Sequence, residues 1–172
     1  SDPYRPSTAL DAFVRARDGY SVVPGNATSA WRADLDHVRE YDHTDPSAGG
    51  QTLPDNLNAK DRRNHLIKTH GHWVDDQWRD ENGVLRQEFT TPEGLRIRGG
   101  VENLEVLFPG LRRIRFEAPA KAPPHPTRTV TPPPEPDEPR RSQTRVAAKH
   151  ARRQAERERN RQRRQALDVT TS

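Results

Sequence analysis

The sequence predicts a small α+β domain followed by a proline-rich linker and a basic tail. Three observations lead to that expectation. An apolar helical spacing opens the chain, the turn dipeptides Asn82-Gly83 and Glu93-Gly94 separate short alternating segments in its middle, and the composition changes beyond residue 116. Only 30% of the 172 residues are hydrophobic. That share is low for a globular protein, so a large core along the whole length is not expected.

The charge is as uneven as the hydrophobicity. Residues 139–172 carry 11 Lys and Arg against 3 Asp and Glu, a net +8, whereas residues 1–138 carry 18 against 22, a net −4. The basic character therefore belongs to the tail, an asymmetry that suggests an arm meeting a polyanion. The chain has no cysteine, which excludes disulfides and thiolate metal sites. It has no apolar run long enough to cross a membrane and no leader pattern at its start. With no methionine either, it reads as a fragment, with residues 1–7 a linker from an upstream region.

Taken in order, "TALDAFVRAR" at 8–17 spaces Leu10, Phe13 and Val14 as a helix does, with Thr8 as its N-cap and Asp18-Gly19 as its end. "YSVVPGNATSAW" predicts a tight turn at Pro24-Gly25 between short β segments. "WRADLDHV" alternates Trp31, Ala33 and Leu35 against Arg32, Asp34 and Asp36, the period of a half-buried strand. Residues 39–56, rich in Asp, Gly and Pro, predict a loop, and residues 58–69 a short helix with Leu57, Leu66 and Ile67 as apolar contacts. "HWVDDQW", "VLRQEFTT" and "LRIRGG" predict three strands joined by hairpin turns. "NLEVLFPGLRRIRF" is the last apolar stretch and carries no clear period. The domain is thus expected over residues 8–116, a semi-extended proline-rich linker over 117–139, and a basic tail over 140–172 that is helical or disordered and has no wide apolar face.

The chemistry-bearing residues lie on either side of the 39–56 loop. Asp36 and His37 are neighbours on a strand, so their side chains point to opposite faces and serve different roles. A strand, a loop and a helix can bring His65 opposite Asp36. Carboxylate and imidazole suit Mg²⁺, Mn²⁺, Zn²⁺ or Ni²⁺. An incomplete protein shell leaves positions for water and a phosphate oxygen, the arrangement that phosphodiester hydrolysis needs, with a neutral His as the proton acceptor.

Here the residues carry a resemblance. "LDAFVRARDGY", "VPG", "AWRADLDHV", "DNL" and "RRNHLIKTHGHW" resemble the HNH endonuclease domain at the C-terminus of many actinobacterial 13E12-repeat (DUF222-type) proteins. The similarity runs from Arg5 to Arg98 and includes the hairpin segment "WVDDQWRDENGVLRQEFTTPEGL", but not the linker or the tail. It implies a small ββα-metal (His-Me finger) fold extended by β-hairpins and a metal-dependent endonuclease acting on DNA in the bacterial cytoplasm. The implied cofactor is one divalent ion (Mg, Mn, Ni or Zn), with no small-molecule cofactor. On the matching positions, His37 is the general base, Asp36 and His65 are metal ligands, and Asn56 fixes the loop and orients the base. His70, Arg63 and Lys68 are candidate phosphate or metal contacts. The chain departs from the family at its structural zinc: the cysteines of the family's "GYCRFPGC" segment and the two ligands before the last His are Ser21, Asn26, Asp61 and Asn64 here. No structural zinc is expected, and support worth roughly 10 kcal/mol in small domains must come from elsewhere.

Plainer readings stand beside these. His43, His72, His125 and His150 read as ordinary surface or core histidines, Asn56 as a helix cap, Arg62, Arg63 and Lys68 as a solvated helix face, and Trp31, Trp73 and Trp78 as core or hairpin anchors. The tail reads either as a non-specific nucleic-acid arm or as a solvated charged terminus, and no aromatic residue interleaves its basic side chains for stacking. The competing function is a catalytically silent nucleic-acid-binding module that binds through the tail.

Overall fold

The computed structural model describes residues 4–99, 103–117 and 144–171. Most of the expected proline-rich linker, together with His125 and residues 140–143 of the tail, lies outside them. The chain divides into two units, Ser1–Ala122 and Pro123–Ser172. The first is a mixed α+β unit. In chain order it holds α1 (Thr8–Asp18), β1 (Asp34–His37), β2 (Leu57–Lys60), α2 (Arg62–His70), β3 (Val74–Arg79), β4 (Leu85–Thr90) and β5 (Arg96–Arg98). Single 3₁₀ turns occur at Ala30–Arg32, Pro54–Asn56 and Pro109–Arg113. The second unit holds α3 (Arg145–Thr171).

Helix α1 forms where its spacing predicts, but its cap is one residue earlier than Thr8. Ser7 takes extended dihedrals, and its hydroxyl accepts from the Leu10 N–H at 3.2 Å, satisfying one of the orphan donors of the first turn. Leu10, Phe13 and Val14 turn inward onto Leu57, with Leu35, Leu111 and Phe116 packed around them. Leu111 and Phe116 give the unclear segment after β5 its role as the lid of this core. Arg17 is one helical turn further along the same face and is fully buried. Its guanidinium donates to Asp18, to the Pro54 carbonyl at 2.6 Å and to the Leu57 carbonyl at 2.7 Å. The other Asp18 oxygen accepts from the Ala59 N–H at 2.8 Å. Each guanidinium nitrogen and each carboxylate oxygen of this buried ion pair has a hydrogen-bond partner, the condition under which such a pair is tolerated inside.

Three expectations are corrected. The turn at Pro24-Gly25 forms, but the segments beside it make only a single bridge, Tyr20 to Ser29, and no strands. Strand β1 covers only Asp34–His37, and Trp31 sits in a 3₁₀ turn with 61% of its surface exposed, because Ala30 and Ala33 fill the tight space there. The third concerns residues 58–60, expected to open a helix, together with Leu57, expected as an apolar contact of that helix. They form β2, antiparallel to β1, with Asp34 opposite Lys60, Leu35 opposite Ala59, Asp36 opposite Asn58 and His37 opposite Leu57. All four β2 residues are buried. Helix α2 starts only after Asp61, whose side chain caps it by accepting from the Asn64 N–H at 3.1 Å.

The three later strands form as the hairpin signals predict. β3, β4 and β5 pair antiparallel in that order. Gly83 sits at φ +71°, the left-handed conformation that the first turn requires, and Asp80 Oδ1 accepts from the N–H groups of Asn82 and Val84. Phe89 on β4 packs with Val22, Val23 and Trp73. Glu105 is fully buried, and both its oxygens accept from Arg79 of β3, which joins the segment after β5 to this sheet. In the second unit, Thr144 caps α3 by accepting from the Ala147 N–H at 3.1 Å. Val146 and Leu167 of α3 are exposed, in keeping with the lack of an apolar stripe.

Candidate active site

The period of β1 puts Asp34 and Asp36 on one face and His37 on the other. Helix α2 packs beside β1 and presents His65 to the first face. His65 Nδ1 lies 2.8 Å from Asp34 Oδ2 and Nε2 lies 3.7 Å from Asp36 Oδ1. The hydrogen bond from His65 holds the Asp34 carboxyl below the usual carboxylate range, with Arg62 at 3.0 Å adding to it. With Nδ1 engaged by Asp34, Nε2 faces Asp36 Oδ1 at a separation too long for a direct hydrogen bond.

The other oxygen of Asp36 is differently engaged. Lys60 Nζ lies 2.9 Å and Lys68 Nζ 2.7 Å from Oδ2. The same two ammonium groups lie 2.7 and 3.4 Å from Asp75 Oδ2 on β3. Lys68 also donates to the carbonyls of His37 and Val38. Only 1% of Lys60 and 4% of Lys68 is exposed, so both are internal cations. Burial opposes ionisation of Asp36, but Lys60 and Lys68 outweigh it and the carboxyl is held below its ordinary range. Lys60 is raised by the same pairing with Asp36 and Asp75, against its own burial. Neither Lys60 nor Asp75 stood out in the sequence, where a lysine within an apparent helix reads as solvated.

Asp36 Oδ1 and His65 Nε2 are donor types that divalent ions accept, and the imidazole is oriented by a second carboxylate, as bound histidines usually are. Among the described residues no third His, Asp or Glu joins them. Asp36 Oδ1 and His65 Nε2 would be the protein ligands, with water and a substrate oxygen completing the shell.

On the opposite face, His37 is buried, with 7% of its surface exposed. Its Nε2 lies 3.0 Å from Thr52 Oγ1, and the Tyr4 ring stacks on it at 5.2 Å and 15°. Burial pushes its pKa down to about 4, and Lys68 and Lys60 act in the same direction, against Asp36. The imidazole is therefore neutral at physiological pH. Asn56 closes the long loop on itself: Oδ1 accepts from the Arg39 N–H at 2.8 Å, and Nδ2 donates to the carbonyls of Arg39 and Gln51. It does not cap α2, a task that falls to Asp61.

The remaining candidates lie elsewhere. Arg63 and His70 are exposed along a groove on the outer side of α2, whose floor includes Leu66, Ile67 and Trp73. Lys68 points inward to Asp36 instead. Ser21, Asp61 and Asn64 meet in one hydrogen-bonded knot: Ser21 Oγ donates to Asp61 Oδ2 at 3.3 Å, and Asn64 Nδ2 donates to the same oxygen at 2.6 Å. Asn26 is apart from this knot, and its side chain accepts from the Thr28 N–H.

No protein-family model and no solved structure matches the chain. Among known proteins, the uncharacterized protein Rv2100 of Mycobacterium tuberculosis is 37% identical over 102 residues, covering 55% of this chain and 17% of that protein. The uncharacterized protein Rv3776 of the same organism is 40% identical over 81 residues, covering 46% of this chain and 14% of that protein. The chain thus spans less than a fifth of the length of these relatives.

Proposed function

We propose that the first unit is a metal-dependent nuclease of the ββα-metal (HNH) type that hydrolyses DNA phosphodiester bonds. The observation that carries this reading is the pairing of Asp36 Oδ1 with His65 Nε2 at 3.7 Å, with His65 held by Asp34. The succession β1, β2, α2 that brings the pair together supports it, as does the clamp that Asn56 places across the 39–56 loop. Asp36 and His65 would hold a divalent ion, which would supply positive charge for the developing negative charge of the reaction. His37, which the resemblance makes the general base, lies buried on the opposite face of β1 from Asp36 and His65 and would accept the proton of the attacking water. Asn56 holds the loop that follows His37, and Arg63 and His70 meet neighbouring phosphates. Three of the four positions where the resemblance places zinc ligands, Ser21, Asp61 and Asn64, form the hydrogen-bonded knot, which takes over the tie between the turn after α1 and the start of α2.

A second reading is a silent nucleic-acid-binding module, favoured by the two lysines on Asp36 Oδ2. An ammonium about 4 Å from a divalent ion opposes it by about 8 kcal/mol at an effective dielectric constant of about 20. Plasmid nicking separates the readings. With Mg²⁺, Mn²⁺, Ni²⁺ or Zn²⁺ present, the nuclease nicks DNA, stops with EDTA, and is inactive as His37→Ala while still binding DNA. Absence of cleavage with every metal by folded protein, together with metal-independent binding that disappears when residues 140–172 are deleted, would establish the silent module.

A further inference from the structure

We propose that the groove on the outer side of α2 binds an unpaired stretch of DNA, which makes single-stranded DNA the substrate form of the nuclease reading on which this inference rests. The groove measures about 950 Å³ and runs along α2 from Arg62 and Arg63 to His70, then past Trp73 to Pro92. Arg62, Leu66 and His70 are spaced four apart and form one row on the helix surface, with Arg63 and Ile67 in the row beside it. His65 and Lys68 face elsewhere, toward Asp34 and Asp36. One helix thus presents the candidate metal-binding histidine on one side and the groove on another. Arg62 belongs to both, because it lines the groove and its guanidinium lies 3.0 Å from Asp34, the carboxylate that holds His65. A DNA strand that passes Asp36 and His65 can continue into the groove without leaving α2.

Floor and rim differ in chemistry, and the difference selects the ligand. On the floor, Leu66 is 42% exposed, Ile67 and Trp73 are half-buried, and Pro92 closes the far end. The rim carries Arg63, His70 and His72, all exposed, and no Asp or Glu is among the described residues that line the groove. A polyanion with flat apolar faces matches both. Unpaired DNA has that character, offering phosphates to Arg63 and base faces to Leu66 and the Trp73 indole. Duplex DNA keeps its base faces stacked inside and would meet the rim alone. From Arg62 to His70 the helix is about 12 Å long at about 1.5 Å per residue, a length that accommodates about three nucleotides at about 3.4 Å each. Trp73 packs against Val22, Val23 and Phe89, so the platform is held in place before any ligand arrives. A pre-organised platform loses little freedom on binding.

The test uses the full chain in EDTA, so that binding is read without cleavage, and an oligothymidylate carrying 5-bromodeoxyuridine as the probe. Ultraviolet cross-linking followed by peptide mass spectrometry is expected to place the base on residues 62–73. Leu66→Asp, at an exposed position, is expected to weaken oligothymidylate binding about ten-fold or more while changing duplex binding less than about two-fold. Arg63→Ala is expected to flatten the slope of log affinity against log salt by about 0.7, the share of one single-strand phosphate. Cross-links confined to residues 140–172 overturn the proposal, as does wild-type affinity in a folded Leu66→Asp protein or an equal loss for single strand and duplex. A Glu-Tyr copolymer that displaces the oligothymidylate, binds more tightly and is itself weakened by Leu66→Asp would assign the groove to an acidic protein partner and overturn it as well. Cross-links on residues 62–73, with no nicking of any DNA under any metal, uphold the groove as a single-strand site and defeat the nuclease reading instead.

Discussion

Asp36 divides its two oxygens between different partners. One oxygen is paired with Lys60 and Lys68, and the other faces His65 across 3.7 Å. Removing Lys60 leaves Asp36 and Asp75 buried and short of positive charge, which costs about 3–5 kcal/mol when one partner of a buried pair is removed. Lys60→Met is therefore expected to lower the melting temperature in metal-free buffer. Added Mn²⁺ is expected to raise it again, with at least about ten-fold tighter binding than in the wild type by calorimetry, because an ion that binds only the folded state stabilises it. Equal Mn²⁺ affinity in the two proteins would show that Lys60 does not oppose the ion. At His37 the sign is set by burial. Its pKa falls from 6.5 to about 4 on folding, so the unfolded chain binds more protons in that interval. Its contribution to stability is complete above pH 6.5 and is lost as the pH falls through 4. His37→Gln is expected to flatten the pH dependence of urea unfolding between pH 6.5 and 4, and an unchanged slope would place that dependence in other groups. The strand alternation made the opposite orientations of Asp36 and His37 legible. It said nothing of Thr52, whose partner lies 15 residues away.

Among the elements, α1 and β2 are joined by a charged residue at a core position. Arg17 satisfies the carbonyls of Pro54 and Leu57, while Asp18 satisfies the Ala59 N–H. Arg17→Met, close in length but unable to donate, leaves the buried Asp18 carboxylate without its cation and takes one donor from each of the Pro54 and Leu57 carbonyls. It is expected to cost about 3–5 kcal/mol in urea denaturation, whereas Ser7→Ala, which removes only the α1 cap, costs about 1 kcal/mol. Comparable losses in the two variants would mean that the buried pair contributes no more than a cap. The hairpins were readable because their signal is local: Gly83 occupies a backbone conformation that other residues avoid. β2 was not readable, because Leu57–Lys60 has no alternation of its own. It is paired along one edge with β1 and packed against α1, all four of its residues are buried, and only Asp61, a cap within the run, marked where the helix truly begins.

For the whole molecule, charge is the property that separates the two ends of the chain. The net +8 of residues 139–172 predicts binding to duplex DNA that weakens steeply with salt. Deleting residues 140–172 is expected to flatten the slope of log affinity against log salt by about 0.9 for each phosphate that the tail neutralises. An unchanged slope would move the binding surface to the first unit. None of the described helices is long and apolar enough to cross a membrane.

Sequence alone determined the mixed α+β class, the first helix, the three later strands with their turns, and the polarity of the tail. Each depends on a period or a turn residue that acts over a few positions. It also placed Asp36, His37, Asn56 and His65 as the residues of interest, through the resemblance of the segments that hold them. Tertiary structure alone decided that residues 57–60 form a strand, that Lys60 and Lys68 are internal cations on Asp36, that Ser21, Asp61 and Asn64 close into a knot, and that Thr52 reaches His37. Those outcomes depend on which polar groups meet once the chain is packed, and a buried ammonium or hydroxyl is stable only through partners that sequence spacing does not reveal.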